Sequence, residues 1–152
     1  MKSGKLTVVL VAVAAVILSG VLTVGAFSLG KYEKVKVSNG TVTIPVAKLS
    51  DGKVHFYKFE DSGKEISFLA VKASDGSYKT AFDACDSCYR AKKGYEQQGE
   101  KLNCKNCNQK FAIGRLGPNA TGGCNPGYLP NQQTGSSISV KTDDLKAGAR
   151  YF

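Results

Sequence analysis

Five cysteines carry the chemistry of this chain, and all of them lie between residues 84 and 130. Cys85 and Cys88 form one Cys-x2-Cys pair, Cys104 and Cys107 form a second, and fifteen residues separate the two. Two cysteines three apart can curl around one ion from a single tight turn, and two such turns supply four thiolates. Four thiolates suffice for a tetrahedral ion or a small cluster. The donor set alone leaves several occupants open. Iron fits, as a mononuclear site or an iron–sulfur cluster; so does structural zinc, and so does Cu(I), which soft thiolates favour. Disulfides are the metal-free alternative in an oxidising compartment. Cys124 stands alone in Gly122-Gly123-Cys124-Asn125-Pro126. It reads as a further metal ligand or as a buried free thiol, and the flexible backbone around it favours the ligand.

Other side chains offer less. His55 is the single histidine and sits in an aromatic strand, Val-His-Phe-Tyr-Lys-Phe, so it reads as a packed side chain and not a ligand. Asp83 and Asp86 flank the first cysteine pair and read as turn residues. No nucleophile has a base partner, and no glycine loop is shaped to cradle phosphate. No catalytic residue is therefore assigned, and the chain is at most a redox component of an oxidoreductase system; a metal carrier or sensor and a structural zinc-ribbon-like domain that binds another protein are the alternatives. The formal charge is +9, spread along the chain without a run of five or six. With no aromatic–basic base-stacking motif, that excludes nucleic acid as a partner. A diffuse positive field suits anionic headgroups, an acidic partner protein or plain solubility.

Residues 6–30 carry no charge and follow Lys2 and Lys5. Such a run is long enough to span a bilayer, and the preceding lysines place the N-terminus in the cytoplasm. A cleaved signal peptide, with a cleavage site at residues 24–26, is the competing reading. Both put the remainder of the chain in the periplasm or outside the cell. The absence of a cysteine soon after the run excludes a lipoprotein anchor. The expected division is a membrane anchor or signal segment at 1–30, with residues 6–29 in the membrane, and an extracytoplasmic cysteine-rich β domain at 31–152.

The elements that must position the cysteines read as all-β. Residues 41–46, with Pro45 at an edge or bulge, 54–59 and 65–72 read as strands. In the last of these Ile66, Phe68 and Ala70 alternate with Leu69 and Val71, so both faces are partly buried. Ser50-Asp51-Gly52, Asp61-Ser62-Gly63 and Ser74-Asp75-Gly76 recur at intervals of 11–13 residues and predict an antiparallel meander or small sandwich. Residues 131–137 read as a loop, 138–141 as a closing strand and 142–145 as a short capped turn, with Tyr151 and Phe152 packing back onto the body. A strand ending near Phe82 delivers the first cysteine turn and one at 101–103 the second. Asn108 is expected in the left-handed conformation that closes such a turn, and Phe111 and Ile113 beneath the site.

Two resemblances rest on these residues. The segments DGSYKTAFDACDSCY, KKGYEQQGEKLNCKNCNQKF and GGCNPGYLP resemble the soluble domain of FtrD-like membrane iron–sulfur proteins, from about Val54 to the C-terminus. The resemblance implies an iron–sulfur centre held by Cys85, Cys88, Cys104 and Cys107, with Cys124 also implicated, and an electron-transfer role beside iron transport. Larger members carry many membrane spans. With one apolar run here, the chain would work with a separate membrane redox or metal-transport partner, or without one. More distantly, the order Cys104, Cys107, Phe111, Gly117-Pro118, Leu129-Pro130 is similar to that of a Rieske domain. This implies a Rieske-like β fold with two Cys-x2-Cys loops, in which Cys88 and Cys107 stand where Rieske sites use histidine. Four thiolates imply a lower potential than a Rieske centre.

Overall fold

The computed structural model describes residues 30–152; the expected anchor at 6–29 lies outside them. Among the described residues no helix is long and apolar enough to cross a membrane. They are mostly β, as the sequence predicts. The first sheet orders β1 (Tyr32–Lys34), β4 (His55–Asp61), β5 (Lys64–Lys72) and β6 (Tyr78–Phe82). The second orders β10 (Gln132–Thr134), β11 (Ser137–Lys141), β3 (Thr41–Pro45) and β2 (Val37–Ser38). The third is β7 (Tyr95–Gln98), β8 (Lys101–Cys104) and β9 (Lys110–Ala112).

The alternation in β5 organises these layers. Ile66, Phe68 and Ala70 face one core, where they meet Val42 and Ile44 of β3 and Ile138 and Val140 of β11. Leu69 and Val71 face the other, where they meet Tyr95, Leu102, Cys85 and Cys104. The first sheet is therefore a middle layer, buried on both sides. Each fully buried aliphatic side chain contributes about 1.5–3 kcal/mol, so β5 anchors both cores at once. On the first-core face of this sheet the rings of Tyr57 and Phe68, cross-strand neighbours in register, stack with centroids 5.4 Å apart.

Turn chemistry explains which meander forms. Ser62 and Gly63 both take positive φ, 49° and 81°, and close the two-residue hairpin between β4 and β5. Gly76, at φ 85°, turns β5 into β6. The expected continuous meander holds for β4–β6 and again for β7–β9. Elsewhere it gives way. β1 runs parallel to β4, pairing Tyr32 with Phe56. Ser50-Asp51-Gly52 is no hairpin; it follows a 3-10 turn (Val46–Leu49) that carries the chain from the second sheet to the first.

The expected loop at 131–137 is a second departure: it is mostly the β10–β11 hairpin. Gly135, at φ 57°, and Ser136 form its two-residue turn. Every residue of β10 is exposed, so no apolar alternation marks it as a strand. Pro45 lies at the end of β3, beyond Thr41 and Val42 where β2 pairs, so its missing N–H breaks no ladder there. The capped turn at 142–145 is a helix, α1 (Thr142–Ala147), without a side-chain cap. Thr142 Oγ1 instead donates to the Gly40 carbonyl oxygen, 3.0 Å away.

After α1 the chain folds back. Tyr151 and Phe152 pack on Phe82 at centroid distances of 5.7 and 6.5 Å, as their apolar character predicts. Gly148 makes this possible, since a Cβ there would lie 2.2 Å from the Phe82 ring. We expect Gly148→Ala to destabilise the domain by about 1–3 kcal/mol, the usual cost of overpacking. A denaturant melt monitored by circular dichroism measures it, and an unchanged midpoint would show that the Phe82 contact does not constrain the C-terminus.

Candidate metal centre

β6 leads straight into the first cysteine turn. One side of β6 pairs with β5. The other is covered by the stretch that comes after Cys124. Phe82 N–H donates to the Gly127 carbonyl oxygen (2.8 Å), Gly127 N–H donates to that of Ala84 (2.9 Å), and Ala81 bridges to Tyr128. Thr80 Oγ1 donates to the Leu129 carbonyl oxygen at 2.6 Å. Ser87 N–H, inside the first turn, donates to the Gly123 carbonyl oxygen at 3.1 Å. The segment carrying Cys124 is thereby fastened beside Cys85 and Cys88.

The two cysteine turns share one construction. The Cys85 carbonyl oxygen accepts from the Tyr89 N–H (3.1 Å), and that of Cys104 accepts from the Asn108 N–H (2.8 Å). Asn108 has φ 61°, the left-handed conformation its position predicts. Lys105 N–H donates to the Gly94 carbonyl oxygen at 3.0 Å and ties the second turn to the spacer. Ile113 is buried in the second core and Phe111 packs against it, as expected beneath the site.

These constraints bring four sulfurs together. The Sγ atoms of Cys85, Cys88, Cys104 and Cys124 all lie within 4.8 Å of one another. Cys107 stands just outside this set, exposed, with its Sγ 3.1 Å from that of Cys124. None of the five is in a disulfide. Donors already point at the sulfurs: Cys88 N–H reaches Cys85 Sγ at 3.2 Å, and Asn106 Nδ2 reaches Cys88 Sγ at 3.3 Å. Burial pushes the Cys85 thiol pKa up, while the Tyr95 hydroxyl and the Cys88 N–H oppose the shift. Cys124 is raised further, first by its hydrogen bond with Cys107, then by burial and by Cys88. A cleft of about 590 Å³ opens onto Cys85, Cys88 and Cys104.

Asp83 is more than a turn residue. It is 4% exposed, two positions before Cys85, and accepts three hydrogen bonds. Lys31 Nζ and the Tyr32 hydroxyl donate to Oδ2 at 2.9 and 2.6 Å, and Tyr95 N–H donates to Oδ1 at 2.7 Å. Burial pushes its pKa up, and Lys31 and the hydrogen bonds from Tyr32 and Tyr95 oppose that. Gly94, at φ +64°, lies against the carboxylate; a Cβ there would sit 2.5 Å from Oδ2. Tyr95 extends the connection, its hydroxyl donating to the Cys124 carbonyl oxygen at 2.6 Å. Asp86 accepts from the Tyr151 hydroxyl at 3.0 Å and holds the C-terminus. His55 stands apart from the thiols, its Nε2 3.0 Å from Asp51 Oδ1.

A profile of the family described as membrane iron-sulfur containing protein FtrD-like matches residues 49–152. No curated protein matches the chain.

Asp83→Ala leaves the Lys31 ammonium, the Tyr32 hydroxyl and the Tyr95 N–H without their acceptor. Breaking a buried pair from one side costs about 3–5 kcal/mol, whereas Tyr32→Phe removes the hydroxyl that donates to Asp83 and accepts from Lys31, hydrogen bonds worth about 1 kcal/mol each. Denaturant melts of the two variants should reproduce that order. Equal losses would mean that Asp83 is held by the tyrosine alone.

Proposed function

The chain belongs to the FtrD-like family of membrane iron–sulfur proteins, and from that membership we propose that it is a membrane-tethered electron-transfer protein with an iron–sulfur centre. The observation that carries the reading is the set of four Sγ atoms, from Cys85, Cys88, Cys104 and Cys124, within 4.8 Å of one another. The donor chemistry fits. Soft thiolates suit iron, and N–H donors to the sulfurs are what tunes such a centre. A bound centre supplies one electron at a time. The chain's own residues hold it, shield Cys85 and Cys104 from water and leave one side open through the cleft.

Residues 6–29 hold the domain to the cell membrane through a single span, with residues 31–152 facing the periplasm or the cell exterior. The electron partner is a membrane redox or metal-transport protein, and iron transport is the process served. The Rieske-like character of the fold is likewise our reading. Its support is that two cysteine turns, delivered by β6 and β8, meet beside one β domain.

One observation favours a second occupant of the same thiolates. Metal–sulfur bonds of about 2.3 Å put the sulfurs of a single tetrahedral ion about 3.8 Å apart. The four sulfurs here, within 4.8 Å of one another, are close enough for that geometry, so a mononuclear iron or zinc site is the alternative, with Cu(I) a softer variant. Protein purified without oxygen separates these readings. Iron with acid-labile sulfide supports the cluster, iron without sulfide the mononuclear site, and a colourless zinc protein would overturn electron transfer.

Two further outcomes are expected. Cys104→Ser and Cys124→Ser should each lose the bound metal and melt at lower temperature, because metal binding and folding are linked. Cys107→Ser should keep most of it. Metal per chain and thermal melts measure this, and retention in Cys124→Ser with loss in Cys107→Ser would assign the site to the two Cys-x2-Cys pairs. A reporter enzyme that works only outside the cytoplasm, fused after Phe152, should be active. Activity solely from a cytoplasm-dependent reporter would reverse the orientation.

A further inference from the structure

The charge-free run ends at Gly30, and the residues next in the chain go directly to the metal centre. Lys31 donates to Asp83 at 2.9 Å and to the Tyr95 carbonyl oxygen at 2.9 Å. Tyr32 lines the same cleft as Cys85, Cys88 and Cys104. The point where the domain joins the proposed anchor therefore lies beside the thiols, not at the far side of the β layers.

That side is also positively charged. In the cleft, Lys58 is paired with Glu65 at 2.8 Å and Lys31 with Asp83, so these charges offset one another. Lys64, Lys92 and Lys93 also line the cleft, and among the described residues none of the three is in an ion pair. Lys105, next to Cys104, adds a further cation. Among the described residues the ammonium groups of Lys92, Lys93 and Lys105 have neither an ion pair nor a hydrogen bond. Long, unpaired lysines around a chain entry point suit a surface of opposite charge, where each contributes about 1 kcal/mol.

We propose that the cysteine-bearing face, ringed by Lys64, Lys92, Lys93 and Lys105, lies against anionic lipid headgroups and holds the metal centre at the membrane plane. This rests on the anchor reading of residues 6–29. The free lysines supply charge complementarity, and the chain entry at Lys31 supplies proximity. The centre then exchanges electrons along the membrane, with a partner embedded in it, and not with a protein diffusing in from the opposite side.

The test uses the full chain in nanodiscs of phosphatidylcholine alone or of phosphatidylcholine with phosphatidylglycerol. A water-soluble acylating reagent and mass spectrometry report the rate at each lysine. Lys72 is the internal reference. It ends β5 at the opposite end from Lys64, about 26 Å away at the usual strand rise. We expect Lys92 and Lys93 to react about fivefold more slowly in the anionic discs, the factor that about 1 kcal/mol per lysine gives. Lys72 should not change, and high salt should abolish the difference. Lys92→Glu together with Lys93→Glu should return Lys105 to its rate in neutral discs.

Acylation does not depend on which metal is bound, so the outcome is independent of the iron assignment. A chain that elutes apart from neutral discs overturns the anchor, and this inference with it. A chain that stays in the discs while Lys92 and Lys72 react alike in both lipids overturns the face alone. Protection in native membranes but not in anionic discs would give this face to an acidic protein and also overturn the proposal.

Discussion

A carboxylate taken out of water must be paired and hydrogen-bonded or give up its charge, and Asp83 is that group here. Removing an ion from water costs several kcal/mol even after relaxation. The cost is offset only while Lys31, the Tyr32 hydroxyl and the Tyr95 N–H stay in place. Those three come from the start of the domain and from the spacer between the cysteine pairs. One buried group thereby fixes where the chain enters, where β6 ends and where β7 begins. It also explains Gly94, because no larger residue leaves room for the carboxylate. Tyr95 passes the constraint on, through its hydroxyl, to the loop bearing Cys124.

The second dependence is apolar. Cys85 and Cys104 belong to the same core as Leu69, Val71 and Leu102, so the cysteine turns are built on packed strands and not on free loops. A site on rigid elements keeps its sulfurs close even when they repel one another as thiolates. Because β4, β5 and β6 all put residues into the opposite core as well, a disturbance of the cysteine site reaches the second sheet through this middle layer. Metal loss and loss of stability are therefore expected to move together.

Much of this was legible in the sequence where the signal is local. The two-faced alternation of residues 65–72, the left-handed Asn108 and the delivery of each cysteine turn by a strand all follow from short-range rules. What the sequence concealed is long-range. Asp83 gains its role from Lys31, 52 residues earlier, and nothing in its neighbours marks it as buried. Cys124 joins Cys85, Cys88 and Cys104 because residues 127–131 run along the free edge of β6, a pairing that no spacing rule encodes. The Cys-x2-Cys motif points to Cys107, yet that thiol stands exposed at the rim, 3.1 Å from Cys124. The β10–β11 hairpin was hidden because both faces of β10 are wet.

Charge connects the centre to its surroundings. Four thiolates around one divalent ion leave a net charge of about −2, by simple formal count. The N–H groups of Cys88 and Asn106 meet part of that charge directly. Lys64, Lys92, Lys93 and Lys105 stand farther out and outnumber it, so the face stays positive when the site is filled. With a redox-active metal bound, the near donors would favour its more negative, reduced state. The outer lysines also act on whatever approaches, and salt weakens that long-range attraction.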